Sequence, residues 1–116
     1  MSDIYDKIER QMPRVNKNQL INYANDLTKS IIKAGFANNF NNSINAADFI
    51  VKFYNTLIED MSRMIDSPVS KNAIEVTQLA LEKGVFNIPD EHINDHIYLA
   101  TRITSFILYI NKNLPM

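Results

Sequence analysis

The chain has no cysteine and no tryptophan, and only two glycines and four prolines among its 116 residues. Without a thiol there is no disulfide, no thiolate nucleophile and no cysteine-based zinc site. Two glycines as far apart as Gly35 and Gly84 cannot build a phosphate-cradling loop or a dinucleotide fingerprint, both of which need closely spaced glycines. The strained G-x-S-x-G turn of serine hydrolases is also missing. Charge of one sign is missing too: 12 basic residues face 13 acidic ones, for a net charge of −1. A domain that grips a phosphate backbone shows a basic excess or a Lys/Arg stripe, so the composition argues against nucleic acid as a partner.

Long apolar runs are absent as well. The most apolar stretch, residues 97–110, is interrupted by Thr101, Arg102, Thr104 and Ser105. It is shorter than the roughly 20 residues a membrane span requires, so no membrane insertion is expected. The first residues, Met1-Ser2-Asp3-Ile4-Tyr5-Asp6, are polar and acidic, without the apolar core of a signal peptide. That makes the cytoplasm the default location.

What is present is an ordinary globular composition, 46% hydrophobic and 22% charged, in a chain the size of one domain. Frequent Asn, Ile and Lys match the usage of AT-rich genomes such as those of low-GC bacteria and their phages. Apolar spacing of three and four, with no alternation of period two, predicts an all-α bundle of about five helices.

A short helix is expected over residues 3–12, with Ile4, Tyr5, Ile8 and Met12 on one face and Pro13 ending it. A second is expected over 17–34, capped by Asn16. Its stripe is Leu20, Ala24, Leu27, Ile31 and Ala34, widened by Ile21 and Ile32, and Gly35 follows at the left-handed stop position. A third begins at an Asn45 cap, with Asp48 in its first turn. Its wide apolar surface runs through Ala46, Phe49, Ile50, Phe53, Tyr54, Leu57, Ile58, Met61, Met64 and Ile65.

Ser67-Pro68 breaks that helix, and Ser67 or Ser70 caps a fourth, expected over 70–83. This one should bury Ala73, Val76, Leu79 and Ala80 and stop at Gly84. Pro89-Asp90-Glu91 opens the fifth, with rows Ile93, Ile97, Ala100, Thr104, Ile107 and Leu99, Ile103, Phe106, Ile110. The third and fifth helices, broadest in apolar surface, are the expected core pair. Overlaying Gly35 on Gly84 also matches Ala24 with Ala73, Thr28 with Thr77, Asn38 with Asn87 and Ile58 with Ile107. Two similar helical hairpins are therefore implied, whether or not they share an origin.

Several side chains are site candidates. His92 and His96 stand four apart beside Asp90, Glu91 and Asp95, a helical spacing that would point both imidazoles one way, as a metal needs. They are the only histidines, the Glu of the H-E-x-x-H motif is missing, and further ligands would have to come from Glu59, Asp60 or Asp66. A polar helix start is the favoured account, and no cofactor is expected. Arg102, the lone charge in an apolar helix, either pairs with Glu59 or Glu75 or, as preferred, runs its stem to water. Glu59, Asp60, Arg63 and Asp66 form a solvated charged face, with Glu59–Arg63 well spaced. A helix-turn-helix over residues 73–100 fails because acids lead its second helix, where phosphate would be repelled.

Apolar side chains near the two glycines remain. Phe36, Phe40, Val85 and Phe86, with Ile88 and the terminal Leu114 and Met116, either cap the core or form a patch for another protein or a second copy. By elimination the expectation is a non-enzymatic protein-binding module: an adaptor, an inhibitor or immunity-type protein, or a small subunit of a larger assembly. The alternatives are a His92/His96 metal protein and a helical protein associated with nucleic acid through Arg10, Arg14, Lys17, Lys29 and Lys33.

Overall fold

The computed structural model describes residues 17–63 and 69–114. Within them the chain forms four α-helices: α1 (Lys17–Lys33), α2 (Ser43–Ser62), α3 (Lys71–Glu82) and α4 (His96–Asn113), with a 3-10 turn at Asp90–His92. The all-α class expected from the sequence is what forms. The helix expected over 3–12, the Asn16 cap and Met64, Ile65, Ser67 and Pro68 lie outside the described residues.

Both glycines act as anticipated. Gly35 has φ +90° and Gly84 φ +75°, a left-handed conformation that glycine adopts without Cβ strain. At the first, Phe36 N–H donates to Ile31 C=O at 3.0 Å and Gly35 N–H to Ile32 C=O at 3.1 Å. At the second, Val85 N–H reaches Ala80 C=O at 3.0 Å and Gly84 N–H reaches Leu81 C=O at 3.3 Å. Each is a Schellman ending, which satisfies carbonyls the helix leaves open.

Each hairpin is antiparallel, and the two hairpins stack in parallel. Lys33 and Glu82, at the C-termini of α1 and α3, approach to 3.7 Å, and Gln78 Nε2 donates at 3.4 Å to Asp26 C=O and to Ser30 Oγ. At the same end, Asn94 Nδ2 donates to Asn39 C=O at 3.2 Å. At the other end Ser70 N–H donates to Asn111 Oδ1 at 2.9 Å, tying the start of α3 to the end of α4. So α1 lies along α3 and α2 along α4, and α2 and α4 make the most extensive packing, as expected for the core pair.

The core holds Leu20, Ala24, Leu27 and Ile31 of α1, Phe49, Phe53, Leu57 and Met61 of α2, Ile74 and Leu81 of α3, and Leu99, Ala100, Ile103 and Ile107 of α4. Thr28 and Thr77, at matching positions, are buried and donate their hydroxyls at 2.7 Å to Ala24 and Ala73 C=O. The i−4 bond makes burial of a hydroxyl affordable within a helix.

Three local expectations are corrected. The cap of α2 is Asn42, whose side chain accepts from Asn45 N–H at 2.8 Å, so the helix starts earlier than Asn45. Asp48 is then beyond the first turn and instead pairs with Lys52 at 2.9 Å. The fifth expected helix starts at His96, because Asp95 accepts from Ile97 and Tyr98 N–H and caps it, while Pro89-Asp90-Glu91 enters the separate 3-10 turn.

On α3, Val76 and Leu79 are exposed, at 38% and 55%, and the buried row is Ala73, Ile74, Thr77, Ala80 and Leu81. A helix with apolar residues on nearly every side has no face until its neighbours choose one. The widening residues Ile21 and Ile32 likewise face solvent, as does Ile97, expected in an apolar row of the last helix, and Ala34 is half-buried. Of the two cap candidates, Ser67 and Ser70, it is Ser70 that caps α3, accepting from Ala73 N–H at 3.1 Å.

The rotated face of α3 has a direct test. Leu81→Ala should lower unfolding free energy by about 2–5 kcal/mol, the range for a fully buried leucine. Leu79→Ala should change it by less than about 0.5 kcal/mol. Denaturant titration of both variants measures the pair, and a larger loss at Leu79 would contradict the packing described.

Candidate functional site

Because the hairpins stack in parallel, the loops after Gly35 and Gly84 arrive at one end of the bundle. There Ala34, Gly35, Phe36 and Asn39 from the first hairpin face Phe86, Asn87, Ile88 and Ile93 from the second across an open groove of about 340 Å³. The Schellman turns direct the chain there, since each bonds the N–H of the following apolar residue, Phe36 or Val85, back to the helix it ends.

The four candidate residues are not equivalent. Phe36, Phe40 and Phe86 are half-buried and pack against the core, with Ile88. Phe40 stands 5.0 Å from Phe49 at 44°, and Phe86 stands 4.8 Å from Phe106 at 53°, the tilted geometry aromatic pairs favour. Val85 differs: 58% of it is exposed. The structure thus brings Phe36 and Phe86 together at one groove and places Phe40 beside α2, where it lines a second, polar recess with Asn45, Asp48, Lys52, Asn94 and His96. Ile93 and Asn39, absent from the sequence candidates, join the groove because loop conformation, not periodicity, carries them there. Leu114 is half-buried elsewhere, beside Val76 and Leu79; Met116 lies outside the described residues.

The histidine pair does not share a helical face. His92 closes the 3-10 turn and His96 opens α4, so helical geometry does not relate them. His92 stacks on Tyr98 with ring centroids 4.0 Å apart and planes 2° from parallel. Its Nδ1 lies 3.6 Å from Asp95 Oδ2 and its Nε2 lies 3.8 Å from Glu91 Oε1. His96 turns toward Phe40, Lys52 and Asn94. Among the described residues no three His, Asp or Glu side chains converge to hold a metal ion.

The remaining charged candidates resolve locally. Glu59 and Arg63 form an exposed pair at 2.6 Å, and Glu75 pairs with Lys71 at 3.9 Å, so neither serves Arg102, which is exposed. Burial raises the pKa of Asp60 from its ordinary value, with Arg63 opposing and Glu59 adding to the rise. Asp66 lies outside the described residues, as do Arg10 and Arg14 of the proposed basic stripe. Of that stripe, Lys33 is engaged with Glu82. Among the described residues no helix is long and apolar enough to cross a membrane.

Asp95 fixes the start of α4. Its carboxylate accepts from Ile97 and Tyr98 N–H, both at 3.1 Å. The Tyr98 bond is the main cause of its lowered pKa, burial opposes it, and the Ile97 bond and His92 add to the lowering. A carboxyl whose folded pKa is depressed contributes its stability above the unfolded value of about 4 and loses it as pH falls through the folded value. Asp95→Ala should therefore lower stability by about 1 kcal/mol at neutral pH. Denaturant titrations of wild type and variant should converge as pH falls below about 4; a difference that persists undiminished there would refute the assignment.

No family model, no curated protein and no solved structure matches this chain, so what the site does is argued from its own residues.

Proposed function

We propose that the chain is a non-enzymatic protein-binding module that engages another protein through the end of the bundle where the loops after Gly35 and Gly84 meet. One observation carries this reading. Two sequence-distant loops converge on an open groove that sets Phe36, Phe86, Ile88 and Ile93 beside Asn39 and Asn87, and Val85, next to Phe86 in the chain, is 58% exposed. Half-buried aromatic rings anchored on the core are rigid, so a partner's apolar side chain enters a preformed surface with little ordering penalty. Asn39 and Asn87 on the rim offer amide donors and acceptors to a partner backbone. An adaptor, an inhibitor or immunity-type protein, or a small subunit of an assembly would each work through such a contact.

Val85 allows a clean test because its side chain is not part of the core. Full-length chain captured from its native host should retain a specific partner, and Val85→Asp should weaken that complex at least tenfold, about 1.4 kcal/mol, while thermal stability stays unchanged. A partner held equally well by both forms would move the binding surface away from the loop end.

A further inference from the structure

Few charges stand at the loop end of the bundle. Residues 34–43 and 85–89, the two loops that meet there, contain no ionisable side chain. The rest of the groove comes from the segment 90–95, which contributes Ile93. Within that segment Ile93 N–H donates to Asp90 C=O at 3.3 Å and Asp95 N–H to His92 C=O at 3.0 Å. Asn94 Nδ2 ties it at 3.2 Å to the carbonyl of Asn39, itself a groove residue. The side chain that fastens the segment to α4 is that of His92.

Each ring nitrogen of His92 faces a carboxylate. Nδ1 lies 3.6 Å from Asp95 Oδ2, and Nε2 lies 3.8 Å from Glu91 Oε1. An imidazolium carries a proton on both nitrogens, whereas a neutral imidazole carries one. In the neutral ring, therefore, one nitrogen turns a lone pair toward an anionic oxygen; in the cation both contacts are attractive. The ring face works in the same direction. Its centroid is 4.0 Å from that of Tyr98 and the planes are 2° from parallel, close enough for an aromatic face to attract a cation. Asp95 is anionic wherever a histidine titrates, because the Tyr98 N–H above all, and the Ile97 N–H with it, hold its carboxyl below the usual range. Asp90, exposed in the same turn, adds a further negative charge. Against the cation stand the positive end of the α4 dipole and Arg102, exposed one turn beyond Tyr98. Lys33 and Glu82, at the nearby ends of α1 and α3, pair with each other.

We propose that His92 is a pH-sensitive latch on the loop-end groove: as an imidazolium it clamps the Asp90–His92 turn to the start of α4 and keeps Ile93 in the wall, and on losing its proton it lets that wall loosen. Histidine changes charge between about pH 5 and 8. A contact that needs the cation is complete at the acid end of that range and is lost as pH rises. His96, the other histidine of the chain, lines the separate recess with Asp48 and Lys52, so the response of the groove runs through His92. The latch concerns the shape of the groove and holds whether or not a partner protein docks there.

Nuclear magnetic resonance of the full chain tests this between about pH 5 and 8. The imidazole signals of His92 and the methyl signals of Ile88 and Ile93 should move together with one midpoint. Across the same range the Ile93 N–H, corrected for its intrinsic rate, should lose about threefold of its protection from hydrogen exchange, as expected for a half-buried cation contact. His92→Gln should hold that protection at the low, alkaline value at every pH, and His96→Gln should leave the wild-type response in place. Glu91→Gln, which removes one of the two carboxylates, should give a smaller change than wild type. Protection that stays constant while His92 titrates would overturn the latch. So would an undiminished pH response in His92→Gln, or one abolished by His96→Gln.

Discussion

Two backbone conformations govern the rest of this fold. Gly35 and Gly84 stand at φ +90° and +75°, where a Cβ would be strained, and each closes a pair of hydrogen bonds that halts its helix. A helix stopped in this way cannot drift in length, so the following loop starts from a fixed point. At both ends the next residue is apolar: Phe36 packs against the core, while Val85 stays largely exposed. With the two helices parallel, as the Lys33–Glu82 and Gln78–Ser30 contacts hold them, the two stops lie side by side. Phe36 and Phe86 meet at one groove for that reason alone.

Parallel stacking also decides which residues of a broad apolar helix become core. The first hairpin offers Phe49, Phe53, Leu57 and Met61 to the second, and the second answers with Leu99, Ala100, Ile103 and Ile107. These sets are not counterparts under the overlay of the glycines; they are neighbouring stripes on similar helices. A helix that must be apolar on one stripe for its hairpin mate and on another for the next hairpin ends up apolar over most of its circumference. That width is visible in α2, where Ile50, Tyr54 and Ile58 pack at the margin of the core and Val51 stays in solvent.

The helical class, both stops, the Ser70 cap and the α2–α4 core pair were legible in the sequence because each depends on local rules: spacing, left-handed glycine, side-chain capping. The errors fall where several local solutions compete. Asn41, Asn42, Ser43 and Asn45 can all cap a helix, and Asn42 is the one whose side chain accepts from Asn45 N–H. Pro89-Asp90-Glu91 is a sound helix start, but Asp95 offers a carboxylate to two backbone N–H groups at once and sets the beginning of α4. For α3, apolar residues at 73, 74, 76, 79, 80 and 81 leave the face to be chosen by α1 and α4. The loop-end groove was half legible: the phenylalanines stood out as loop residues, while Asn39 and Ile93 belong to it through tertiary placement only.

The groove of Phe36 and Phe86 lies at the end of the helices, while Ile44 and Val51 stand exposed along the side of the first hairpin and Leu79 and Ile97 along the second. With a net charge of only −1, long-range steering would contribute little at the groove. Under the proposed reading, discrimination among partners would therefore rest on shape and on the few apolar contacts that Phe36, Phe86 and Val85 offer.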